Sequence, residues 1–223
     1  MSAFVSPRTF RFLRELAAHN ERPWFEANKQ RYLEDVRDPL LRFVSAMGPR
    51  LAKLSRSIVA DPRPLGGSLF RIHRDVRFSK DKSPYKTHAA LSFRHADGKE
   101  KPAPGFYLHL GPGEVFAGAG LWHAPSEAVK QVRDAIVRDP EAWTKVLRTC
   151  SIDASEDTLK RPPRGYDPEH RFVEDLKHQS FTTGVRFTQA EACADDFPER
   201  FAGACRKATP LMQFLARALG VPW

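Results

Sequence analysis

The spacing of apolar residues changes twice along this chain, and each change predicts a change in secondary structure. Before about residue 56, apolar residues recur every three or four positions, as in Phe10, Leu13 and Leu16, which is typical of amphipathic helices. Between about residues 69 and 122 they alternate with polar residues, which is typical of strands with one buried face. Helical spacing returns after Ser126. Helices, then strands, then helices predict an α+β fold, with a mostly antiparallel sheet packed on N- and C-terminal helices.

The segments between these elements are short and rich in proline and glycine, so they read as turns rather than as linkers between domains. A chain of 223 residues with 41% apolar content is enough for one sizeable core. We therefore expect one domain over residues 1–223. Its predicted parts are N-terminal helices over 6–56, a sheet over 68–123 (strands about 69–122), helices over 126–149, and a strand with C-terminal helices over 178–219, the strand near 178–187.

Positive charge is concentrated in one part of the chain. The net charge is +9, and residues 51–100 contribute eleven basic and five acidic side chains, a net +6. The stretch from Arg71 to Arg94 holds seven Lys or Arg and two acids, yet it lies among apolar residues that predict a sheet. Such a local surplus favours an anionic partner, whether a phosphate, a nucleic acid or an acidic lipid surface.

Strict alternation predicts where these cations point. One face of the sheet is apolar and includes Phe70, Ile72, Val76 and Phe78 of a first strand. The other would carry basic, histidine and tyrosine side chains, with His73, His88 and His109 among them, beside glycines that leave room above the backbone. We expect a pocket there for a phosphate- or carboxylate-bearing small molecule, because arginine binds two oxygens at once and lysine adds a point charge. The candidate ligand-binding residues are Arg71, Arg74, Arg77, Lys80, Lys82, Lys86, His88, Tyr107, His109, Gly118, Gly120, Trp122 and, from a Pro-rich loop, Arg164.

Other interpretations of the same face stay open. It could be an ordinary solvated face on which Asp75 and Asp81 pair with neighbouring cations. It could bind nucleic acid, although no nucleic-acid motif is present and a flat, extended surface would favour that reading over a pocket. It could also belong to a hydrolase or phosphoryl-transfer enzyme that uses Asp75 or a nearby histidine as general base.

A metal site is not predicted. His73, His88, His109 and Asp75 are acceptable ligand types, but the cations on the same face would oppose a divalent metal. No nucleotide-binding, hydrolase or metalloprotease motif appears, so we expect no cofactor.

The cysteines and the hydropathy predict a reducing, non-membrane location. The three cysteines are odd in number and show no CxxC spacing, which argues against a disulfide framework. No apolar run approaches the roughly 20 residues that span a bilayer, and no secretory signal is visible. We expect a cytoplasmic protein without a membrane partner; the oligomeric state stays open.

Three stretches of sequence resemble one family. "FRIHRDVRFSKDKSPYKTH", "GFYLHLGPGEVFAGAGLW" and "LKRPPRGYDPEH", with "RPWFEANKQRY" near the N-terminus, closely resemble a widespread bacterial and fungal family of unknown function, the domain-of-unknown-function family 2461. The resemblance runs from about Phe10 to Leu219. It implies a single compact domain with no assigned activity, cofactor or catalytic residue. Members often carry Tyr where this chain has His73, and a residue other than His at His88, which speaks further against a metal site.

Overall fold

Helices occupy both ends of the chain and strands occupy its middle, which confirms the α+β prediction. The computed structural model describes residues 4–153 and 158–223. No helix among these residues is long and apolar enough to cross a membrane. The N-terminal elements are α1 (Pro7–Ala18), α2 (Arg22–Ala27), α3 (Lys29–Tyr32), a π-helical turn (Leu33–Arg37) and α4 (Asp38–Ala52).

Four strands form one antiparallel sheet with the order β1-β2-β3-β4. The strands are β1 (Ala89–Phe93), β2 (Gly105–Leu110), β3 (Val115–Leu121) and β4 (Phe181–Phe187), with a 3₁₀ turn (Ala96–Lys99) after β1. The helices after β3 are α5 (Ser126–Arg138), α6 (Pro140–Leu147), α7 (Val173–Leu176), α8 (Gln189–Ala192) and α9 (Phe197–Ala218). The strand predicted near 178–187 is thus β4, at one edge of the sheet.

The two faces of the sheet have different surroundings. The inner face carries most of the buried strand residues, and Phe93 of β1 packs against Phe201 of α9 with ring centroids 5.6 Å apart. A first cluster of buried residues lies under β1 and β2, and a second lies around Leu121, Trp143 and Phe181. The outer face carries the alternate positions, which are Ala90, Ser92, Gly105, Tyr107, His109, Phe116, Gly118, Gly120, Thr182, Gly184 and Arg186.

The basic segment does not form the regular strand that alternation predicts from Phe70 to Phe78. It makes only two isolated bridges, Leu69 to Leu91 and His73 to Tyr85. The N–H of Phe70 donates to the Ala90 carbonyl, whereas the N–H of Lys86 donates to the Ile72 carbonyl. Between these two rungs a single residue, Arg71, faces residues 87–89, so the partner strand carries a bulge of two residues.

This bulge overturns the predicted side-chain alternation. Leu69 and Ile72 are both buried, with 6% and 5% of their surface exposed, although they are three positions apart. Phe70 accordingly lies on the outer face, where its ring approaches Tyr107, instead of joining Ile72 in the core. A fixed two-residue period cannot describe a segment whose register changes within it.

The backbone conformation at position 120 requires glycine. Its φ is +132°, and a Cβ added there would lie 2.1 Å from the Phe181 carbonyl oxygen. We expect Gly120→Ala to lower the free energy of unfolding by about 3 kcal/mol, measured by urea denaturation, because the side chain forces a shift of the β3–β4 backbone. Gly118→Ala is the matched control: its Cβ would meet Tyr107 at 3.7 Å, and the effect should stay within about 1 kcal/mol. Equal losses in both variants would contradict this role.

Candidate anion-binding site

Five rings form a continuous row on the outer face of the sheet; we call Phe70, His88, Tyr107, His109 and Phe116 the aromatic row. The imidazoles of His88 and His109 stack with centroids 4.4 Å apart, and His109 stacks on Phe116 at 5.0 Å. The ring centroid of Tyr107 lies 5.7 Å from that of Phe116 and 6.4 Å from that of Phe70. Each ring is half-buried, so the neighbours fix its position while part of it stays in contact with solvent.

Basic side chains border the row at the β1 edge of the sheet. The Lys86 ammonium lies 5.1 Å from the centre of the Phe70 ring, and the Arg94 guanidinium lies 5.6 Å from the same centre. Lys86 Nζ also donates to the Arg71 carbonyl at 3.1 Å. Among the described residues, no carboxylate lies within 4.0 Å of the charged groups of Lys86, Arg71 or Arg94. The positive charge at this edge therefore has no ion-pair partner in the described chain.

Burial and mutual repulsion shift the protonation of the groups here. Burial lowers the pKa of Lys86, and the nearby Arg71 lowers it further. Burial, followed by the charges of His109 and Lys86, lowers the pKa of His88 from 6.5 to about 4. Burial also lowers the pKa of His109, against a small opposing effect of Glu114. Both histidines are thus neutral near pH 7 and can stack without repelling each other.

Two of the predicted cations are neutralised within the hairpin loop that follows. Arg74 forms an ion pair with Asp81, and Arg77 pairs with Asp75 at 2.6 Å. Lys80 and Lys82 are exposed in the same loop, where Lys82 Nζ donates to the Val76 carbonyl at 3.0 Å. Arg74 and Arg77 therefore fit the interpretation of an ordinary solvated surface on which Asp75 and Asp81 pair with neighbouring cations. Five of the seven cations have no ion-pair partner among residues 4–153 and 158–223, namely Arg71, Lys80, Lys82, Lys86 and Arg94.

The bulge sends His73 and Arg74 to a different side of the hairpin. His73 packs on Tyr85 at 5.1 Å, and both line a cavity of about 370 Å³ together with Arg22 and Glu26 of α2. Alternation had placed His73 beside His88 and His109, and that prediction is wrong because the register changes between them. Among the described residues, no group of three His, Cys, Asp or Glu could hold a metal ion.

Three further candidates lie apart from the aromatic row. Trp122 directly follows the C-terminal end of β3, whereas Phe116 lies near the N-terminal end of that strand. Trp122 is 72% exposed, and its ring meets the His123 ring edge-on. Gly120 is required by the backbone conformation, as described above. Gly118 is not one of these three, because it lies beneath the Tyr107 and Phe116 side chains. The loop of Arg164 is held on α5, where the Tyr166 O–H donates to Asp134 at 2.7 Å, on the side of the second buried cluster.

Asp75 is poorly suited to be a general base. It is exposed, and the side-chain and backbone N–H groups of Arg77 lower the pKa of its carboxyl. A carboxylate stabilised in this way holds a proton less readily, which weakens it as a base near neutral pH.

Sequence reasoning missed three members of the site. Phe116 shares its strand face with Gly118, so alternation alone could have included it. Phe70 was assigned to the core because the bulge was not recognised. Arg94 follows directly after β1 and is in phase with Ala90 and Ser92, so alternation could have included it as well.

Asn20 fixes the hairpin against the N-terminal helices. Its side-chain amide donates to the Tyr85 carbonyl at 2.9 Å, and its oxygen accepts from the Tyr85 N–H at 3.0 Å. We expect Asn20→Ala to lower the free energy of unfolding by about 2 kcal/mol, since both backbone groups of a buried residue lose a partner. Asn20→Asp keeps the oxygen that accepts from the Tyr85 N–H, so its free energy of unfolding should fall less than that of Asn20→Ala. Chemical denaturation measures both; an Ala variant as stable as wild type would contradict the clamp.

The stacked histidines predict a pH dependence of stability. The pKa of His88 is about 4 in the folded protein against 6.5 for the free side chain, so the unfolded chain binds more protons between these values. This contribution is complete above about pH 6.5 and is lost as the pH falls towards 4. We expect His88→Gln to flatten the dependence of the unfolding free energy on pH in that window.

His73→Gln serves as the control, because it leaves the His88–His109 stack in place and should keep the slope. Urea denaturation at a series of pH values measures both variants. An unchanged slope in His88→Gln would show that the stacked pair does not resist protonation.

Comparison with known proteins agrees with the resemblance noted from the motifs. A family model described as a conserved hypothetical protein (DUF2461) matches residues 8–214. No curated protein matches the chain. The matched range includes the basic hairpin, all four strands and the aromatic row, so the site lies inside the part of the chain that defines the family. The protein is a member of the DUF2461 family.

Proposed function

We propose that this protein binds a ligand bearing a phosphate or carboxylate group at the Lys86 edge of the aromatic row. The observation that carries this proposal is the half-buried ammonium of Lys86, which lies beside Arg71 and has no carboxylate partner in the described chain. A cation that is partly removed from water and faces another cation is destabilised until an anion approaches it.

The surrounding groups suit such an anion. Lys86 supplies a compact point charge, while Arg71 and Arg94 supply planar guanidinium groups that can bind two oxygens each. The Phe70 ring beneath Lys86 and Arg94 holds these side chains near one another by cation–π contacts. Binding, not catalysis, is what this chemistry favours, because the lowered pKa values of His88 and Asp75 make both poor proton acceptors.

We also propose a cytoplasmic location. Cys150, Cys193 and Cys205 are free thiols, and two of them are buried. A reducing compartment keeps such thiols unpaired.

Lys86→Gln tests the proposed site. We expect wild-type protein to be stabilised against thermal unfolding by pyrophosphate, and Lys86→Gln to bind pyrophosphate about tenfold more weakly, as for the loss of one charged hydrogen bond. Lys145→Gln is the matched control, because it removes one exposed lysine of α6, which belongs to the second buried cluster.

Calorimetric titration measures the three affinities. Equal weakening in both variants would show that only net charge matters. No stabilisation by pyrophosphate, inorganic phosphate, sulfate or citrate would contradict the proposed function itself.

A further inference from the structure

We propose that the anionic ligand is a single-stranded nucleic acid, whose bases stack on the aromatic row and whose phosphates lie along the Lys86 edge. This inference rests on the proposed function and names the class of ligand for the same site. It depends on three features of the outer face: the spacing of its rings, the absence of carboxylates among its strand positions, and its shape.

Three rings of the aromatic row follow one another across the sheet. Tyr107 and Phe116 lie on the adjacent strands β2 and β3, and Phe70 lies on the segment beyond β1. The ring centroids are 6.4 Å apart from Phe70 to Tyr107 and 5.7 Å apart from Tyr107 to Phe116, with the ring planes tilted by 56° and 42°. The pleat of the sheet and contacts between the rings hold them in place, so little side-chain entropy is lost when a base stacks on them. Because every base has a flat face, such a platform accepts a strand of any sequence.

The strand positions of the outer face carry no carboxylate that could repel a phosphate chain; the carboxylate of Asp153 lies at the β4 edge, 3.6 Å from the position of a Cβ added at Gly184. The eleven strand positions, named above, contain no Asp or Glu. Glu114, in the turn before β3, is held by Arg186 in an ion pair of 2.7 Å. Anions that approach the row therefore meet neutral or positive groups on the strands themselves.

The positive charge is spread along an edge. Lys86, Arg71 and Arg94 border the row, and the exposed Lys80 and Lys82 continue the charge into the hairpin loop. The helices that cover the sheet pack on its inner face, with α9 against β3 and β4. An open face with a basic border fits a polymer of phosphates better than it fits one small anion.

The strand must be unpaired. Rings that project from the middle of a sheet stack only on bases that are turned out of a helix, because the faces of duplex bases are covered by the neighbouring bases and only their edges are exposed in the grooves. A duplex could contact the cations but not the aromatic row. Tighter binding of a single strand than of a duplex therefore distinguishes base stacking on the aromatic row from charge attraction alone.

The test is fluorescence anisotropy with a labelled oligothymidine of about 12 nucleotides, a duplex of equal length, and pyrophosphate as competitor, at salt concentrations between about 50 and 200 mM. The variants are Tyr107→Leu and Phe116→Leu, which keep apolar bulk and remove the ring. Trp122→Leu is the matched control, because it removes an exposed ring outside the row. Circular dichroism verifies that each variant is folded.

We expect the oligothymidine to bind more tightly than the duplex, and each row variant to weaken it about tenfold while Trp122→Leu leaves it unchanged. Trp122→Leu, which lies outside the row, should also keep the wild-type affinity for pyrophosphate. Equal binding of single strand and duplex, or equal effects of Trp122→Leu and Phe116→Leu, would overturn the nucleic-acid inference and leave anion binding standing. Binding of pyrophosphate without binding of the oligothymidine would do the same. Failure of every anion to bind would overturn both.

Discussion

The change of register in the basic hairpin is the constraint on which the site depends. Leu69 pairs with Leu91 and His73 pairs with Tyr85, so the partner strand has two residues more than a regular ladder needs. Burial of both Leu69 and Ile72 stabilises this arrangement, because a regular ladder would turn one of them towards solvent. The extra residues turn His88 onto the outer face and leave Lys86 above Phe70. The segment from Leu69 to Leu91 therefore contributes side chains both to the core and to the outer face of the sheet.

Neutral imidazoles make the aromatic row compatible with the cations beside it. If His88 and His109 were charged, they would repel each other across a stack of 4.4 Å and would also repel Lys86. Burial keeps them neutral, so they extend the stack that starts at Phe116 without adding charge. The cationic part of the site is thus confined to the β1 edge, and the remaining strand positions of the outer face are neutral apart from Arg186, which Glu114 pairs and near which Asp153 lies.

The sequence was sufficient for the fold and for part of the site. Burial of one face gives strands and helices different periods, so β2 and β3, where the register is regular, could be assigned residue by residue, and Tyr107, His109 and Gly118 fall on one face as predicted. Phe70 and His73 could not be placed, because a bulge at residues 87–89 leaves no clear mark in the pattern of apolar residues. The position of Arg164 depends on how its loop packs on α5, which is a long-range contact that periodicity does not encode.

The ion pairs of the hairpin loop contribute little to the stability of the fold, but they determine which cations of the loop are neutralised. Exposed pairs such as Arg77–Asp75 contribute little to stability, since water screens them and two side chains lose freedom. Their effect on the surrounding potential is larger, because each acid offsets the charge of the arginine with which it pairs, and Asp75 also interacts electrostatically with Arg71. Both acids of the stretch pair with arginines of the loop, Arg74 and Arg77, and neither approaches Lys86 or Arg94 within ion-pair distance. The surplus of positive charge in this stretch is therefore carried partly by the exposed lysines of the loop and partly by the edge of the sheet, where the rings lie beside it.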